Sequence, residues 1–244
     1  MSKDSSSTEP DIIELDAAHL EANGIVGLDK KDRRARAFNL LRTQLMKRIA
    51  GTGKFVGITS AMPGAGKSLT AVNLAVSLAK LSRWPVALVD LDFRRGSVAS
   101  YLGLRPEVGL AAVLEGTAEL DAISVRAIHP NLTIYPAVPA DESGSLLLTS
   151  KAFDDLLATI RETIGEGIAI FDLPPVFADD DAMIATQKLD GYLFMVDAGV
   201  TPAGQVTHSI ERLSPATCFG TVLNRYEGGL FDSYGYDYKY GYNY

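Results

Sequence analysis

The chain has 244 residues, 47% of them hydrophobic, which suits one α/β domain of roughly 180–200 residues and excludes a fully disordered chain. A formal net charge of −7 excludes a general nucleic-acid binder, because phosphate backbones demand concentrated Lys and Arg. Cys218 is the single cysteine, so no internal disulfide can form and a reducing cytoplasm fits.

Residues 1–31 read as a flexible, solvated lead-in, with an apolar-acidic patch at Ile12-Ile13-Glu14-Leu15 that can dock. The Ser-rich start carries no apolar core of a secretory signal, and no run approaches the ~20 apolar residues of a membrane span. Direct membrane insertion is therefore not expected. The domain proper is expected over 32–226 and a tail over 227–244. A helix is predicted over 32–50, where Phe38, Leu41, Leu45 and Ile49 recur at steps of three and four. Phe55-Val56-Gly57-Ile58-Thr59 reads as a buried strand, and a helix over 67–81 follows with Leu69, Val72, Val76 and Ala79 on one side.

Further continuous apolar strands are predicted at 86–89, 168–171, 192–196 and 219–223. Helical patterns separate them, which is the signature of a P-loop NTPase-like parallel sheet covered by helices on both faces. Functional groups should gather at the carboxyl ends of such strands.

Between the first of these strands and its helix lies Pro63-Gly64-Ala65-Gly66-Lys67-Ser68. Glycines at a helix N-terminus let backbone N–H groups converge on phosphate oxygens. Lys67 would reach the β- and γ-phosphates of ATP and the Ser68 hydroxyl would ligate Mg²⁺. Gly64, Ala65, Gly66, Lys67, Ser68 and Leu69 form the expected phosphate cradle, with Ala61 standing where the common pattern opens on Gly. Asp90-Leu91-Asp92-Phe93-Arg94 follows the next strand, and two carboxylates so spaced can serve one a metal and one a hydroxyl. A capped turn explains the same spacing. Asp172 ends its strand ahead of Leu173-Pro174-Pro175, as a carboxylate that binds Mg²⁺ through water does. Asp179, Asp180 and Asp181 read as helix capping.

The chain closes on Tyr234, Tyr236, Tyr238, Tyr240, Tyr242 and Tyr244, interleaved with Gly, Asp, Lys and Asn. An edge strand also alternates, but the glycines and the lack of aliphatic partners favour a mobile substrate segment. A phosphate loop together with phosphorylatable hydroxyls points to a kinase that modifies its own tail.

The order Pro-Gly-Ala-Gly-Lys-Ser, Val-Asp-Leu-Asp-Phe-Arg, Ile-Phe-Asp-Leu-Pro-Pro and a tyrosine cluster resembles the bacterial tyrosine kinases, over residues 36–244. These are cytoplasmic kinases of capsule and exopolysaccharide export. The resemblance implies that Asp90 orients and deprotonates the acceptor hydroxyl, while Asp92 and Asp172 serve the metal. It gives Arg94 to the phosphates or the acidic site, and leaves Asn224 as an adenine reader or a turn former. It further implies a membrane co-polymerase as activating partner, and location at the inner membrane face through that partner. Two departures stand out. Arg36, Asn39 and Arg42 occupy the family's Glu-x-x-Arg-x-x-Arg ring pattern, with only the last matching, and Asp197 stands where Arg is usual. A ParA- or MinD-like ATPase shares the fold and motifs but carries an extra lysine where this chain has Met62. A catalytically weak adaptor, gating a transporter through its ATP-bound state, is the third reading.

Overall fold

A computed structural model describes residues 12–26, 32, 34–49, 54–81, 84–127, 131–139 and 144–227. The tail tyrosines Tyr234 to Tyr244 lie outside the described residues.

In chain order the elements are β1 (Ile12–Ile13), α1 (Ala17–Ala22), α2 (Ala35–Arg48), β2 (Phe55–Ser60), α3 (Lys67–Leu81), β3 (Val86–Asp90) and α4 (Ser97–Tyr101). They continue as α5 (Leu110–Leu114), α6 (Leu120–Ile123), β4 (Val125–Ala127), β5 (Leu132–Tyr135), α7 (Gly144–Thr149) and α8 (Lys151–Ile164). The last are β6 (Ile168–Asp172), α9 (Asp181–Lys188), β7 (Gly191–Asp197), α10 (Ala203–Leu213) and β8 (Cys218–Asn224).

The strands form one sheet in the order β1-β4-β5-β3-β6-β2-β7-β8. From β5 to β8 every neighbouring pair is parallel, and β4 runs antiparallel to β5. The α/β class and the five strands read from apolar runs agree with the sequence expectation. Each of β2, β3 and β6 is buried along its whole length, as strands covered on both faces must be. One apolar cluster joins α3 to one face through residues such as Val72, Val76, Leu88 and Ile170. A second, built around Phe153, Ile160, Phe171 and Val89, joins α8 to the other.

Helix α3 departs from a one-sided pattern. Its residues from Thr70 to Ala79 are all buried, because α2 and the N-terminal segment cover the side turned from the sheet. The lead-in expectation for 1–31 is likewise corrected over residues 12–26. Ile12 and Ile13 pair with Arg126 and Ala127, and Leu20, Ile25 and Val26 are buried. Asn73, fully buried on α3, fixes this segment. Its Oδ1 accepts from Val26 N at 2.8 Å and its Nδ2 donates to Gly24 O at 3.0 Å.

Among the described residues no helix is long and apolar enough to cross a membrane.

Candidate nucleotide site

Strand β2 sits between β6 and β7, where the chain order of the sheet reverses, and this is the crevice in which open α/β sheets bind ligands. The loop leaving β2 requires glycine at two points. Gly64 and Gly66 have φ of 86° and 88°, a region that residues with a Cβ disfavour. At Gly66 a Cβ would also collide with the Asn224 amide nitrogen. Ser60 Oγ donates to Met62 O at 2.7 Å, and the Gly66 carbonyl starts α3 by accepting from Thr70 N at 3.0 Å. Lys67 and Ser68 thus open a fifteen-residue helix, where the backbone dipole favours anions. Lys67 is only 7% exposed, while Ser68 and Leu69 are half-buried.

Ala61 has a physical reason. It is 1% exposed and packs with Val176, Ala182, Tyr192 and Phe194, so its methyl group fills space a glycine would leave. Beside it the Leu173–Phe177 segment is fastened to the phosphate loop. Val176 N donates to Ser60 O at 2.8 Å, and Thr59 Oγ1 donates to Pro174 O at 2.7 Å.

Asp90 and Asp172 are register partners on β3 and β6, so their carboxylates stand side by side. Both are fully buried. Burial pushes Asp172 up to about 7, with the Ser68 hydroxyl and the Lys67 ammonium opposing the rise. Ser68 lies close enough to ease the charge, but no protein donor meets hydrogen-bond geometry at either carboxylate oxygen. A buried carboxylate without partners is costly unless a cation or water answers it, so this donor set fits a hydrated divalent ion. Burial, and then the Asp172 charge, raise Asp90 well above the usual carboxylate range. Its oxygens differ from those of Asp172, because they accept from Asp92 N and Val98 N, each at 3.1 Å. Asp90 therefore holds the 91–98 turn as well as facing the site. Asp92 is 6% exposed and accepts from Arg95 N at 3.2 Å.

Arg94 is ion-paired with Asp179, outside the Asp90–Asp92–Asp172 group. The capping expectation for Asp179, Asp180 and Asp181 is corrected. Asp180 occupies the N-cap of α9 but makes no side-chain cap bond, and Asp179 accepts from Asp180 N. Asp181 is 2% exposed, and burial, then the Asp179 charge, push it up to about 6. Asp190 lies at the far end of the sheet. There it accepts from Lys54 N and Phe55 N at 2.8 and 2.9 Å, a structural duty.

Asn224, at the end of β8, reaches the phosphate loop and donates from Nδ2 to Ala65 O at 2.9 Å. Asp197 accepts from Arg225 Nη1 at 2.6 Å, so this acid has its cation on the neighbouring strand's exit. Sequence reasoning missed Arg225 and read Asp179 as a cap rather than as the partner of Arg94. No local pattern marks either, because each partner is distant along the chain.

A phosphate loop on the central strand of a parallel sheet, with carboxylates on adjoining strand ends, defines a P-loop nucleotide-binding domain. Residues 56–234 match the CobQ/CobB/MinD/ParA nucleotide binding domain. The chain is 30% identical to tyrosine-protein kinase YwqD of Bacillus subtilis, over 90% of this chain and 92% of that protein. It is also 30% identical to tyrosine-protein kinase CpsD of Streptococcus pneumoniae, over 77% and 82%. Among solved structures, the chimerical protein CapA2B2 superposes with a TM-score of 0.77 at 26% identity, over 89% of this chain and 94% of that one. The chain belongs to the bacterial tyrosine-protein kinase family.

Proposed function

We propose that the chain is a Mg–ATP-dependent tyrosine kinase that phosphorylates the Tyr234–Tyr244 cluster of its own kind. The observation that carries this reading is the buried, unpartnered Asp172 carboxylate beside Lys67 and Ser68. Lys67 and the loop N–H groups of Gly64, Ala65, Gly66 and Ser68 bind the phosphates, while Ser68, Asp92 and Asp172 hold the ion. Mg²⁺, when bound, neutralises charge that develops on the transferred phosphoryl group. Asp90 has the proton affinity of a base for the acceptor hydroxyl, and its two backbone bonds leave lone pairs free to take the proton. Arg94 supports the acidic side through Asp179, and Asn224 faces the base.

The segment from Glu227 to Tyr244 spans at most ~60 Å at about 3.3 Å per residue, enough to enter a neighbouring copy's site. By family resemblance the kinase regulates capsule or exopolysaccharide export, docked at the inner membrane face on a co-polymerase partner.

Incubating the purified chain with Mg–ATP and mapping phosphotyrosine by mass spectrometry tests the reading. Phosphate on the tail cluster, lost by about 100-fold or more in Lys67→Met, is the expected result. ATP hydrolysis without phosphotyrosine would instead support the MinD-like alternative.

A further inference from the structure

Residues 12–26 carry a two-residue strand and a six-residue helix, both too short to hold together alone in water. Their structure therefore comes from what they dock on. One contact is α3, through the Asn73 bonds to Val26 N and Gly24 O. The other is α4. His19 Nε2 donates to Ser100 O at 2.8 Å, and its ring lies so close to Gly103 that a Cβ there would stand 3.0 Å from Cδ2. Leu20 and Ile25 join one buried apolar cluster with Val72 of α3 and Val98 of α4.

Helices α3 and α4 serve different sides of the nucleotide site. Helix α3 opens on Lys67 and Ser68, and Asn73 lies on its second turn. Helix α4 continues the turn that leaves β3, and its Val98 N donates to Asp90 Oδ2 at 3.1 Å. A shift of α4 is therefore felt at Asp90, which stands beside Asp172. An ion shared by Ser68, Asp92 and Asp172 is held well only while the phosphate loop and the acidic turn keep their spacing.

We propose that residues 12–26 are a positioning clamp for the metal–nucleotide site, with His19 as its working contact. Docked, the segment ties α3 to α4 and fixes the spacing between Lys67–Ser68 and the Asp90–Asp92 turn. Undocked, it frees α4. A segment with so little structure of its own opens at low cost, so whatever displaces it weakens Mg–nucleotide binding. By linkage, bound Mg–nucleotide holds the segment down by the same factor. This rests on the reading that the site binds Mg–nucleotide. His19 is a positioning residue; it touches no ligand and acts through α4.

Calorimetric titration of the full chain with ADP, in Mg²⁺ and in EDTA, together with amide hydrogen exchange, provides the test. His19→Ala removes the bond to Ser100 O and should weaken Mg–ADP by about fivefold. Its affinity for ADP in EDTA should stay parental, because Lys67 and the loop are untouched. Without ligand, the same variant should exchange faster over residues 97–104 while β2, β3 and β6 keep their protection. In the parent, Mg–ADP should slow exchange over residues 17–26. His19→Gln, which keeps a donor, should restore most of the Mg–ADP affinity. Unchanged Mg–ADP affinity in His19→Ala overturns the proposal, and so does an equal loss in EDTA or a His19→Gln as weak as His19→Ala. A parent chain that binds no Mg–ADP overturns this proposal and the nucleotide reading together, whereas parental binding with an unaffected His19→Ala overturns this one alone.

Discussion

Asp172 shows how one residue can trade stability for function. Its folded value of about 7 lies above the ordinary 3.8 because burial disfavours the charge. The folded state then holds a proton that the unfolded chain has released between those two values. Stability contributed by the neutral form is full below about pH 4 and is lost as pH rises towards 7. Asp172→Asn removes the buried charge and should raise the melting temperature of the ligand-free protein at pH 8 by roughly 3–8 °C, with little gain at pH 4. The same variant should lose the extra stabilisation that Mg–ATP gives the parent. Calorimetric melts at both pH values check this, and equal shifts at pH 4 and pH 8 would contradict it. The neighbouring carboxylates should separate in a Mg²⁺ titration. Asp92→Asn should need more Mg²⁺ for half-maximal ATP binding, by about tenfold. Asp90→Asn should bind nucleotide nearly as the parent does, yet transfer phosphate at least ~100-fold more slowly, because it loses both a base and the grip on Val98 N. Equal loss of ATP affinity in both would sink this division of labour.

At the scale of elements, two contacts on α3 decide how the rest of the chain is arranged. Asn73 joins the 12–26 segment to the helix that starts at the phosphate loop. Asn73→Ala leaves Val26 N and Gly24 O without these bonds, at a cost of about 1–3 kcal/mol for each buried group stranded. Amide hydrogen exchange should then show residues 12–26 losing protection while β2, β3 and β6 keep theirs. Uniform loss across the sheet would mean that Asn73 supports the core itself. The other contact belongs to α2. Arg42 donates to Ser77 Oγ at 2.7 Å and to Ser77 O at 3.0 Å, and Asn39 Oδ1 accepts from both Arg42 and Ser77. Two of the three positions matching the ring pattern are therefore engaged inside the subunit. Arg36 and Asn39 are exposed, and Arg42 is half-buried.

For the whole molecule, Arg42 is committed to Ser77 within the subunit, and a switch of assembly is expected from charge on the tail. Each phosphotyrosine adds roughly −1.5 to −2 charges to a chain already at −7. Several on one tail would repel other tails and the acidic pocket formed by Asp90, Asp92 and Asp172. Dephosphorylated chains should associate and phosphorylated ones separate, most clearly with the partner's cytoplasmic segment present. Light scattering of both forms measures this, and identical masses under all conditions would leave the tail a substrate without a switch.

What the sequence determined by itself is local or strictly periodic. Continuous apolar runs made β2, β3, β6, β7 and β8 legible, since a strand buried on both faces tolerates little else. The phosphate loop was legible because two left-handed backbone positions require glycine next to a lysine that opens a helix. Tertiary structure decided the rest. Ile12–Ile13 becomes a strand only by pairing with Arg126–Ala127, and β5 is a short segment that gains its partner β3 from far along the chain. Arg94 met Asp179, and Arg225 met Asp197, because folding placed them within bonding distance. Such pairings depend on strand order and register, and neither leaves a periodic mark on the residues involved.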